Sequence, residues 1–345
     1  MNDAPPIPLF GRDLFVDREA ELECVENKIR QYLNRRPPRP RHTAFHGPRG
    51  CGKSWLLRYL AEVYLPDQFN DKIRIVFALL NPANPSLFHD LLIHTADALG
   101  LSLPIGATSQ EIARWILQRC REMDRPAVFV VDEIDRLEFE ALKEVERDYI
   151  YPLATEPNAF LVLGMRVLTP RGCLRDPAFK TSLETRYLPP FDATQTKYQA
   201  ARLGGSFQPG ILEITGGNPL ANAVLMKGGS IQECAELMLE GVDESLRKYF
   251  WPLAVPDRIE MDQMPSLLAA YMGDTPEAWD RQTCHRILRD MTATGLVRWE
   301  SGLSYRMNED LRRVLRRAFQ QIEPDQWDAI AKIVEPPDSA GGHDE

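Results

Sequence analysis

Short runs of apolar residues alternate with segments of helical periodicity over the first 190 residues of the chain. The runs are rich in β-branched and aliphatic side chains, which is typical of strands buried on both faces of a parallel sheet. Five runs occur, at 43–46, 73–80, 127–133, 160–163 and 186–188. Strands that alternate with helices predict an α/β fold with a doubly wound, five-stranded parallel sheet.

The segments between these runs carry apolar residues three or four positions apart, which predicts helices. The first helix is expected to begin at Asp17, a residue that can cap it, and to bury Leu22, Val25 and Ile29 on one face. The other helices are expected at 54–64, 85–99, 109–123 and 139–155.

Beyond residue 191 the pattern becomes helical, with helices expected at 193–203, 211–215, 220–226, 231–240 and 243–251. A helix at 277–293, strands at 296–299 and 303–307, and a helix at 308–320 then predict a winged-helix module. The tail from Glu335 is rich in Pro, Gly and Asp and is expected to be disordered.

The most informative motif lies directly after the first strand, at residues 47–54. It fits G-x-x-x-x-G-K-[ST], whose glycines let backbone N–H groups point at phosphates. Lys53 would bring positive charge to the β- and γ-phosphates, and the Ser54 hydroxyl would bind Mg²⁺. The alternative is a glycine-rich turn that binds nothing, but the strand before it and the helix after it match a phosphate site. The motif residues are Gly47, Pro48, Arg49, Gly50, Cys51, Gly52, Lys53 and Ser54.

A second polar signal is the carboxylate pair Asp132 and Glu133 at the end of the apolar run 127–133. Parallel strands end at the same edge of a sheet, so this pair should lie near the phosphate loop. Asp132 would hold Mg²⁺ through water, and Glu133 would orient or deprotonate the attacking water. The alternative role is a cap for a helix that starts at Ile134.

Composition narrows the class of protein. A net charge of −9 over 345 residues argues against general coating of nucleic acid. The six cysteines form no C-x-x-C pair, which indicates reduced thiols rather than a disulfide frame or a zinc site. The N-terminus does not resemble a signal peptide, and no apolar run has the roughly 20 residues of a membrane span. We therefore expect a cytoplasmic protein without membrane contact.

These features predict five regions. They are an N-terminal segment with a basic linker (1–40), a P-loop ATPase domain (41–191), a helical lid (192–240), a winged-helix domain (241–320) and a C-terminal helix with a tail (321–345).

Together the motifs resemble those of the AAA+ ATPases, specifically the STAND branch and the origin-recognition initiator ATPases. The resemblance spans about residues 12–320. Phe15-Val16-Asp17-Arg18-Glu19 is similar to the F-V-G-R-E box beside adenine, with Asp17 where that box has glycine. Residues 47–54 and 128–133 resemble the Walker A and Walker B elements. The segment 188–191 resembles the junction to the lid, and residues 217–219 resemble the lid's G-x-P element.

The resemblance implies a nucleotide site for ATP or ADP with Mg²⁺. Its ligands would be the phosphate loop with Phe15, Val16, Trp55 and Pro219. Lys53, Glu133 and Arg166 would be catalytic, with Arg166 at the sensor-1 position. No sensor-2 arginine is evident in the lid, so hydrolysis is expected to be slow or dependent on assembly.

Two arginines keep alternative roles. Arg166 is either a sensor of the γ-phosphate or half of a surface ion pair. Arg186 is either a trans finger that reaches a neighbouring subunit or part of a structural salt bridge. Cys51 is expected to be a small filler within the loop.

The main functional hypothesis is a nucleotide-gated regulatory switch of the STAND type, acting with a separate partner protein or by self-assembly in signalling or defence. The alternative is a DNA-binding AAA+ ATPase, since residues 281–317 hold nine arginines against four acids. The arginines at 312, 313, 316 and 317 are expected on the solvent face of the last helix, where a protein interface would explain them equally well. A scaffold that binds nucleotide without hydrolysis is a third class, and the presence of Glu133 argues against it.

Overall fold

The computed structural model describes residues 10–16, 18–80, 87–134, 137, 139–166 and 177–334. The predicted cap Asp17, Cys173 and the tail from Glu335 lie outside these residues. The described chain forms two compact units. We call Phe10–Gly47 with Gly52–Pro189 the sheet unit, and Pro48–Cys51 with the chain from Pro190 onward the helical unit.

The sheet unit contains a five-stranded parallel sheet in the order β2-β3-β4-β1-β5. The strands are β1 (His42–His46), β2 (Arg74–Leu79), β3 (Ala127–Asp132), β4 (Ala159–Met165) and β5 (Leu183–Tyr187). All residues of β3 and β4 are buried, which explains why these strands are apolar without alternation. The predicted fold class is confirmed.

Eight α-helices belong to this unit in the described part of the chain. They are α1 (Glu19–Leu33), α2 (Lys53–Tyr59), α3 (Leu65–Phe69), α4 (Leu87–Ala98), α5 (Ser109–Glu122), α6 (Phe139–Val145), α7 (Tyr151–Thr155) and α8 (Pro177–Ser182).

Two of the predicted helices contain a π-helical turn just before a proline. Helix α2 continues through Leu60–Tyr64 into α3, and α6 continues through Glu146–Ile150 into α7. Proline cannot donate the i→i−4 hydrogen bond, and the wider turn relieves the clash of its ring with the preceding turn. The predicted end of the first of these helices at residue 64 was therefore wrong, since the chain stays helical past Pro66 to Phe69.

The helical unit contains nine further helices in its described part. They are α9 (Ala193–Arg202), α10 (Pro209–Thr215), α11 (Pro219–Met226), α12 (Ile231–Met238), α13 (Glu244–Leu253), α14 (Met264–Met272), α15 (Arg281–Ala293), α16 (Glu309–Ile322) and α17 (Pro324–Val334). Strands β6 (Ile259–Glu260), β7 (Val297–Ser301) and β8 (Ser304–Met307) form an antiparallel sheet in the order β6-β8-β7.

The sequence pattern missed α8, β6 and α14. Helix α14 reads Met-Pro-Ser-Leu-Leu-Ala-Ala-Tyr-Met, which is apolar on almost every side and has no helical stripe. It buries Met264, Leu267 and Leu268 in a hydrophobic core that extends from Ala221 to Ile330. The predicted domain boundaries at 240 and 320 fall within this core, and they stay predictions.

None of the described helices combines the length and the apolar character that a membrane span requires.

His42 at the start of β1 is a fully buried histidine inside the sheet unit. Its Nδ1 accepts from the N–H of Leu161 at 3.1 Å. Its Nε2 therefore carries the proton and donates to the carbonyl of Ala154 at 3.1 Å. Burial, with the neighbouring Arg41 charge, lowers the pKa of His42 from 6.5 to about 3.

This histidine makes the stability of the sheet unit depend on pH. Its folded pKa is depressed, so its contribution is complete above pH 6.5 and is lost as pH falls towards 3. Between pH 6.5 and 3, each pH unit lowers the free energy of unfolding by about 1.4 kcal/mol. The loss at pH 5 is therefore about 2 kcal/mol. We expect urea unfolding at pH 7.5 and pH 5 to show this loss in the wild type and a smaller loss in His42→Gln. Equal losses in both proteins would contradict the assignment.

Candidate functional site

The carboxyl ends of three neighbouring strands bring polar groups to one edge of the sheet. The phosphate loop follows β1, the acidic pair ends β3, and Arg166 follows β4. Strand β4 lies between the other two, with Phe45 of β1 opposite its Gly164 and Val131 of β3 opposite its Leu163. The parallel register therefore gathers these groups, as the strand ends predicted.

Asp132 is the most buried charged group at this edge, with no exposed surface. Its Oδ1 accepts from the backbone N–H of Glu133 at 2.8 Å, and the Ser54 side chain also bonds to it. Its Oδ2 is buried and has no hydrogen-bond partner in the described part of the chain. Burial raises the pKa of Asp132, while the bonds from Ser54 and the Glu133 N–H and the charge of Lys53 act in the opposite direction. A hydroxyl beside a buried carboxylate with a spare oxygen is a donor set that fits Mg²⁺.

The space for this carboxylate exists only because residue 164 is glycine. A Cβ at Gly164 would lie 2.2 Å from Oδ1 of Asp132 and 2.5 Å from Cδ1 of Leu57. Any side chain here would displace the carboxylate or the helix behind it. No local sequence pattern marks this role of Gly164.

Lys53, the lysine of the motif, is almost buried at 9% exposure, and its Nζ donates to the carbonyl of Gly47 at 2.6 Å. The ammonium therefore lies inside the curve of the loop. Burial and this ammonium both lower the pKa of His46, the last residue of β1. A positive, partly desolvated end of β1 favours an anionic ligand.

Glu133 is half-buried and adopts φ of +60°, a left-handed conformation that is unusual for a residue with a side chain. This conformation costs about 1–2 kcal/mol. Strain of this kind is concentrated at functional sites, where the surrounding structure holds it in place.

The residues of the predicted adenine box lie in a packed corner of the sheet unit. The Phe15 ring stacks on Tyr59 with centroids 4.0 Å apart, and Val16 is buried. Arg18, which the sequence analysis had not singled out, is 4% exposed and donates to the carbonyl of Pro189 at 2.9 Å. Trp55 contacts Phe10 edge-to-face at 5.5 Å. The side chains of Phe15, Val16 and Arg18 are therefore used in packing within the sheet unit.

Arg166 is half-buried directly after β4. Arg186 donates to Glu184 at 2.7 Å and to the carbonyl of Ala20 at 3.3 Å. Glu184 also bonds to Lys28 at 2.8 Å. Burial acts to raise the pKa of Glu184, but the hydrogen bonds from Lys28 and Arg186 outweigh it and lower the pKa to about 2. Arg186 therefore belongs to an ion-pair network within this chain, and its role as a trans finger stays a prediction.

The tip of the phosphate loop belongs to the helical unit. Pro48 accepts from the N–H of Cys51 at 3.4 Å, and Cys51 is fully buried, in keeping with a filler. The Arg49 guanidinium forms an ion pair with Glu240 and donates to its carbonyl at 3.3 Å. Gly50 has φ of +82°, which glycine adopts without strain.

The turn between α10 and α11 packs against this tip. Pro219 begins α11 and is buried, and its carbonyl accepts from Gln199 at 2.7 Å. The carbonyl of Arg49 accepts from the side chain of Asn218 at 3.1 Å, and the carbonyl of Gly50 accepts from the N–H of Leu220 at 3.2 Å.

The basic residues near the C-terminus are distributed differently from the prediction. Arg312 was expected to face solvent, but it is 9% exposed, because its guanidinium turns into a contact with Asp257 at 2.7 Å and with Glu309 at 3.2 Å. Arg313 also pairs with Glu309, and Arg316 pairs with Asp257. Much of the positive charge of α16 is therefore neutralised within the chain.

Helix α15 carries the more accessible basic face. It buries Cys284, Ile287, Leu288 and Met291 and exposes Arg281, Gln282, His285, Arg286 and Arg289. The hairpin β7–β8 follows directly, and its Arg298 and Trp299 are also exposed.

A parallel sheet of this strand order, with a phosphate loop after β1 and an acidic pair after β3, is the P-loop fold of AAA+ ATPases. The family model "AAA domain" matches residues 36–168, which include both motifs. No curated protein sequence matches the chain.

Similar solved structures extend over almost the whole chain. The Aeropyrum pernix ORC2 protein in ADPNP–ADP complexes is 14% identical, and the match covers 96% of both chains with a TM-score of 0.53. Its ADP form is 15% identical, and the match covers 92% of this chain and 97% of that chain with the same TM-score of 0.53. Cdc6p from Pyrobaculum aerophilum is 16% identical over 93% and 97% of the chains, with a TM-score of 0.43. At these identities the similarity to the two ORC2 structures shows the fold alone.

Three residues of this region do not stand out as site residues in the sequence: Arg18, Gly164 and Asn218. Asn218 offers a signal, because an asparagine before a proline that opens a helix is a typical cap. The other two act through neighbours that are distant in sequence, so no local pattern marks them.

Proposed function

We propose that this chain is an ATP-binding and ATP-hydrolysing AAA+ ATPase that binds duplex DNA through its C-terminal module. The ATPase part of the proposal rests on the sheet edge, where Lys53, Asp132 and Glu133 follow neighbouring strands. The DNA part rests on one observation, the exposed arginine face of α15 directly before a β-hairpin.

In the proposed reaction each polar group has its own role. Lys53 neutralises charge on the β- and γ-phosphates, while Ser54 and Asp132 would hold Mg²⁺. The bound Mg²⁺ would further neutralise the phosphate oxygens. Glu133 orients the attacking water and accepts its proton, and Arg166 approaches the γ-phosphate from the strand between the two motifs. The nucleotide-bound ORC2 structures of the same fold support ATP and ADP as the ligands.

The order of elements in the helical unit supports a winged helix. Helix α13 is followed by β6, α14, α15, β7 and β8, and in helix-turn-helix proteins the second helix of the motif enters the major groove. Here that helix is α15, and its arginines would reach phosphates or base edges. Helix α16 carries four of the nine arginines between 281 and 317, and three of these four, at 312, 313 and 316, form ion pairs within the chain.

The DNA proposal predicts a salt-dependent interaction that α15 controls. We expect a fluorescein-labelled duplex of about 30 base pairs to bind in the presence of ATP and Mg²⁺, with affinity that falls steeply between 50 and 200 mM salt. Replacing Arg281, Arg286 and Arg289 together by glutamine should weaken binding at least tenfold. It should also reduce the slope of log K against log salt by about one for each lost phosphate contact. Fluorescence anisotropy measures both quantities.

The matched control removes three exposed positive charges elsewhere in the helical unit, by replacing Lys197, Lys227 and Lys332 with glutamine. It should keep nearly wild-type binding, since net charge alone acts weakly at distance in salt. Equal losses in both triple variants, or no binding at 50 mM salt in any nucleotide state, would overturn the DNA proposal.

A second candidate is the STAND-type switch that acts with a separate partner protein in signalling or defence. The observation that favours it is a hydrogen bond in the turn between α10 and α11. There Asn218 donates to the carbonyl of Arg49 in the phosphate loop. Such a protein would assemble with the triphosphate but not with ADP, whether or not DNA is present. Light scattering after size exclusion in ADP and in a non-hydrolysable ATP analogue separates the two candidates.

A further inference from the structure

One buried amide in the helical unit makes three connections at once. Asn218 has no exposed surface and lies in the turn between α10 and α11. Its Oδ1 accepts from the N–H groups of Leu220 at 3.1 Å and Ala221 at 3.2 Å, which caps α11. This cap uses the oxygen and leaves both N–H bonds of the amide available for other contacts.

Those two donors point to different parts of the chain. Nδ2 donates to the carbonyl of Arg49 in the phosphate loop at 3.1 Å. The Asn218 side chain also hydrogen-bonds to Asp310 in the first turn of α16, and a carboxylate can only accept from it. The same NH₂ group therefore links the loop tip with α16.

The contact with the loop is tight enough to exclude other residues. A Cβ at Gly50 would lie 2.5 Å from Oδ1 of Asn218 and 2.7 Å from Cβ of Leu220. The loop backbone therefore lies directly on the amide, and a shift of the loop must move Asn218 or break its bond.

The turn itself is anchored from behind by a buried polar cluster of Thr196, Gln199, Thr215 and Asn222. Thr215 accepts from the N–H of Gly217 at 3.1 Å, and Gln199 donates to the carbonyl of Pro219 at 2.7 Å. The Asn222 amide joins the two by donating to Gln199 at 3.1 Å and bonding to the Thr215 hydroxyl at 2.5 Å. This cluster holds the backbone on both sides of Asn218. A change at this turn would therefore mainly alter the hydrogen bonds of the Asn218 side-chain amide.

Asp310 is an unusual residue to find in contact with that amide. It is 4% exposed, and its Oδ2 is buried without a hydrogen-bond partner among the residues that the structure describes. The other charged groups that act on it are Arg313 and Glu309 of its own helix. Burial raises the pKa of Asp310 to about 6, while the bond from Asn218 and the charge of Arg313 oppose that rise. The protonation of Asp310 therefore depends on the strength of the hydrogen bond that the Asn218 amide donates to it.

We propose that Asn218 is a positioning residue that couples the nucleotide state of the phosphate loop to the first turn of α16. The inference rests on the proposed function, because it requires a nucleotide at the loop. A nucleotide that orders the loop fixes the Arg49 carbonyl, holds the amide in place and strengthens its bond to Asp310. By linkage, loss of the amide donors weakens nucleotide binding.

The test uses Asn218→Asp, which keeps the side-chain shape and the helix cap but removes both donors. We expect ADP with Mg²⁺ to bind about tenfold more weakly in isothermal titration calorimetry. In the wild type, saturating ADP should slow hydrogen exchange of the backbone amides of residues 311–314 at least threefold, compared with the nucleotide-free protein. The variant should show no such slowing, although its site is filled.

Asn308→Asp is the matched control, because Asn308 caps α16 through the same kind of bond, to the N–H of Leu311. It should keep both ADP affinity and the exchange response. Asn218→Ser, which can also cap a helix, replaces the aspartate variant if that one does not fold.

The outcomes separate the inference from the proposed function. If the wild type does not bind ADP, the proposed function fails. If the wild type binds ADP and Asn218→Asp retains the slowing at 311–314, the coupling is overturned while the nucleotide site stands. If Asn308→Asp also loses the ADP-dependent slowing at 311–314, the coupling through Asn218 is overturned. The slowing would then depend on the cap of α16.

Discussion

Replacing Glu133 by glutamine is expected to lower ATP hydrolysis by a factor of about 10²–10⁴ and to leave ATP affinity nearly unchanged. Glutamine has the same shape but cannot accept a proton from water. The backbone of Glu133, with φ of +60° and its N–H donating to Asp132, should be retained because it does not depend on the carboxylate. Phosphate release and nucleotide titration on the same preparation measure the two quantities.

Glu144→Gln is the matched control for this experiment. Glu144 is exposed on α6, eleven positions further along the chain, and the change removes the same charge. It should hydrolyse ATP at the wild-type rate. Hydrolysis that Glu133→Gln leaves intact would show that another group activates the water, and the assignment of the base would be wrong.

Gly217→Ala is expected to destabilise the helical unit by about 3 kcal/mol. Gly217 has φ of +85°, and a Cβ there would lie 2.0 Å from the carbonyl oxygen of Phe191. That oxygen belongs to the backbone and cannot rotate away, because the N–H of Phe191 donates to the Gly217 carbonyl at 2.8 Å. Urea unfolding followed by tryptophan fluorescence is suitable, since four of the six tryptophans, at 251, 279, 299 and 327, lie in this unit.

Gly228→Ala separates the two causes of that loss. Gly228 has φ of +82° but nothing within 4 Å of a built Cβ. Its substitution should cost only the left-handed penalty of about 1 kcal/mol. If both variants lose the same stability, the contact with Phe191 is unimportant and the backbone conformation accounts for the effect.

The fold class was predictable because its signals are local. Buried parallel strands read as continuous apolar runs, and a loop that must wrap phosphates needs glycines at set spacing. The position of Asp132 and Glu133 at the end of a buried strand also marked them as exceptional, since carboxylates there require a partner or a ligand. The family model match over 36–168 covers this region.

The orientation of arginines was not predictable in the same way. The helical pattern predicts that Arg312 and Arg313 both face solvent, yet Arg312 is buried and Arg313 is exposed. The difference comes from Asp257, more than fifty residues away in sequence, which the fold brings to Arg312 at 2.7 Å. Long side chains can turn towards whichever acid is near, so their direction depends on neighbours rather than on periodicity.

Local sequence was enough to predict the alternation of strands and helices, the phosphate loop and the acidic pair, because these follow from backbone conformation and from burial along one stretch of chain. The tertiary structure alone decided the strand order, the need for glycine at 164, the exposed basic face of α15 and the amide link of Asn218 to both Arg49 and Asp310. Each of these depends on contacts between residues distant in sequence, and the free energy of such contacts is set by packing that no local pattern records.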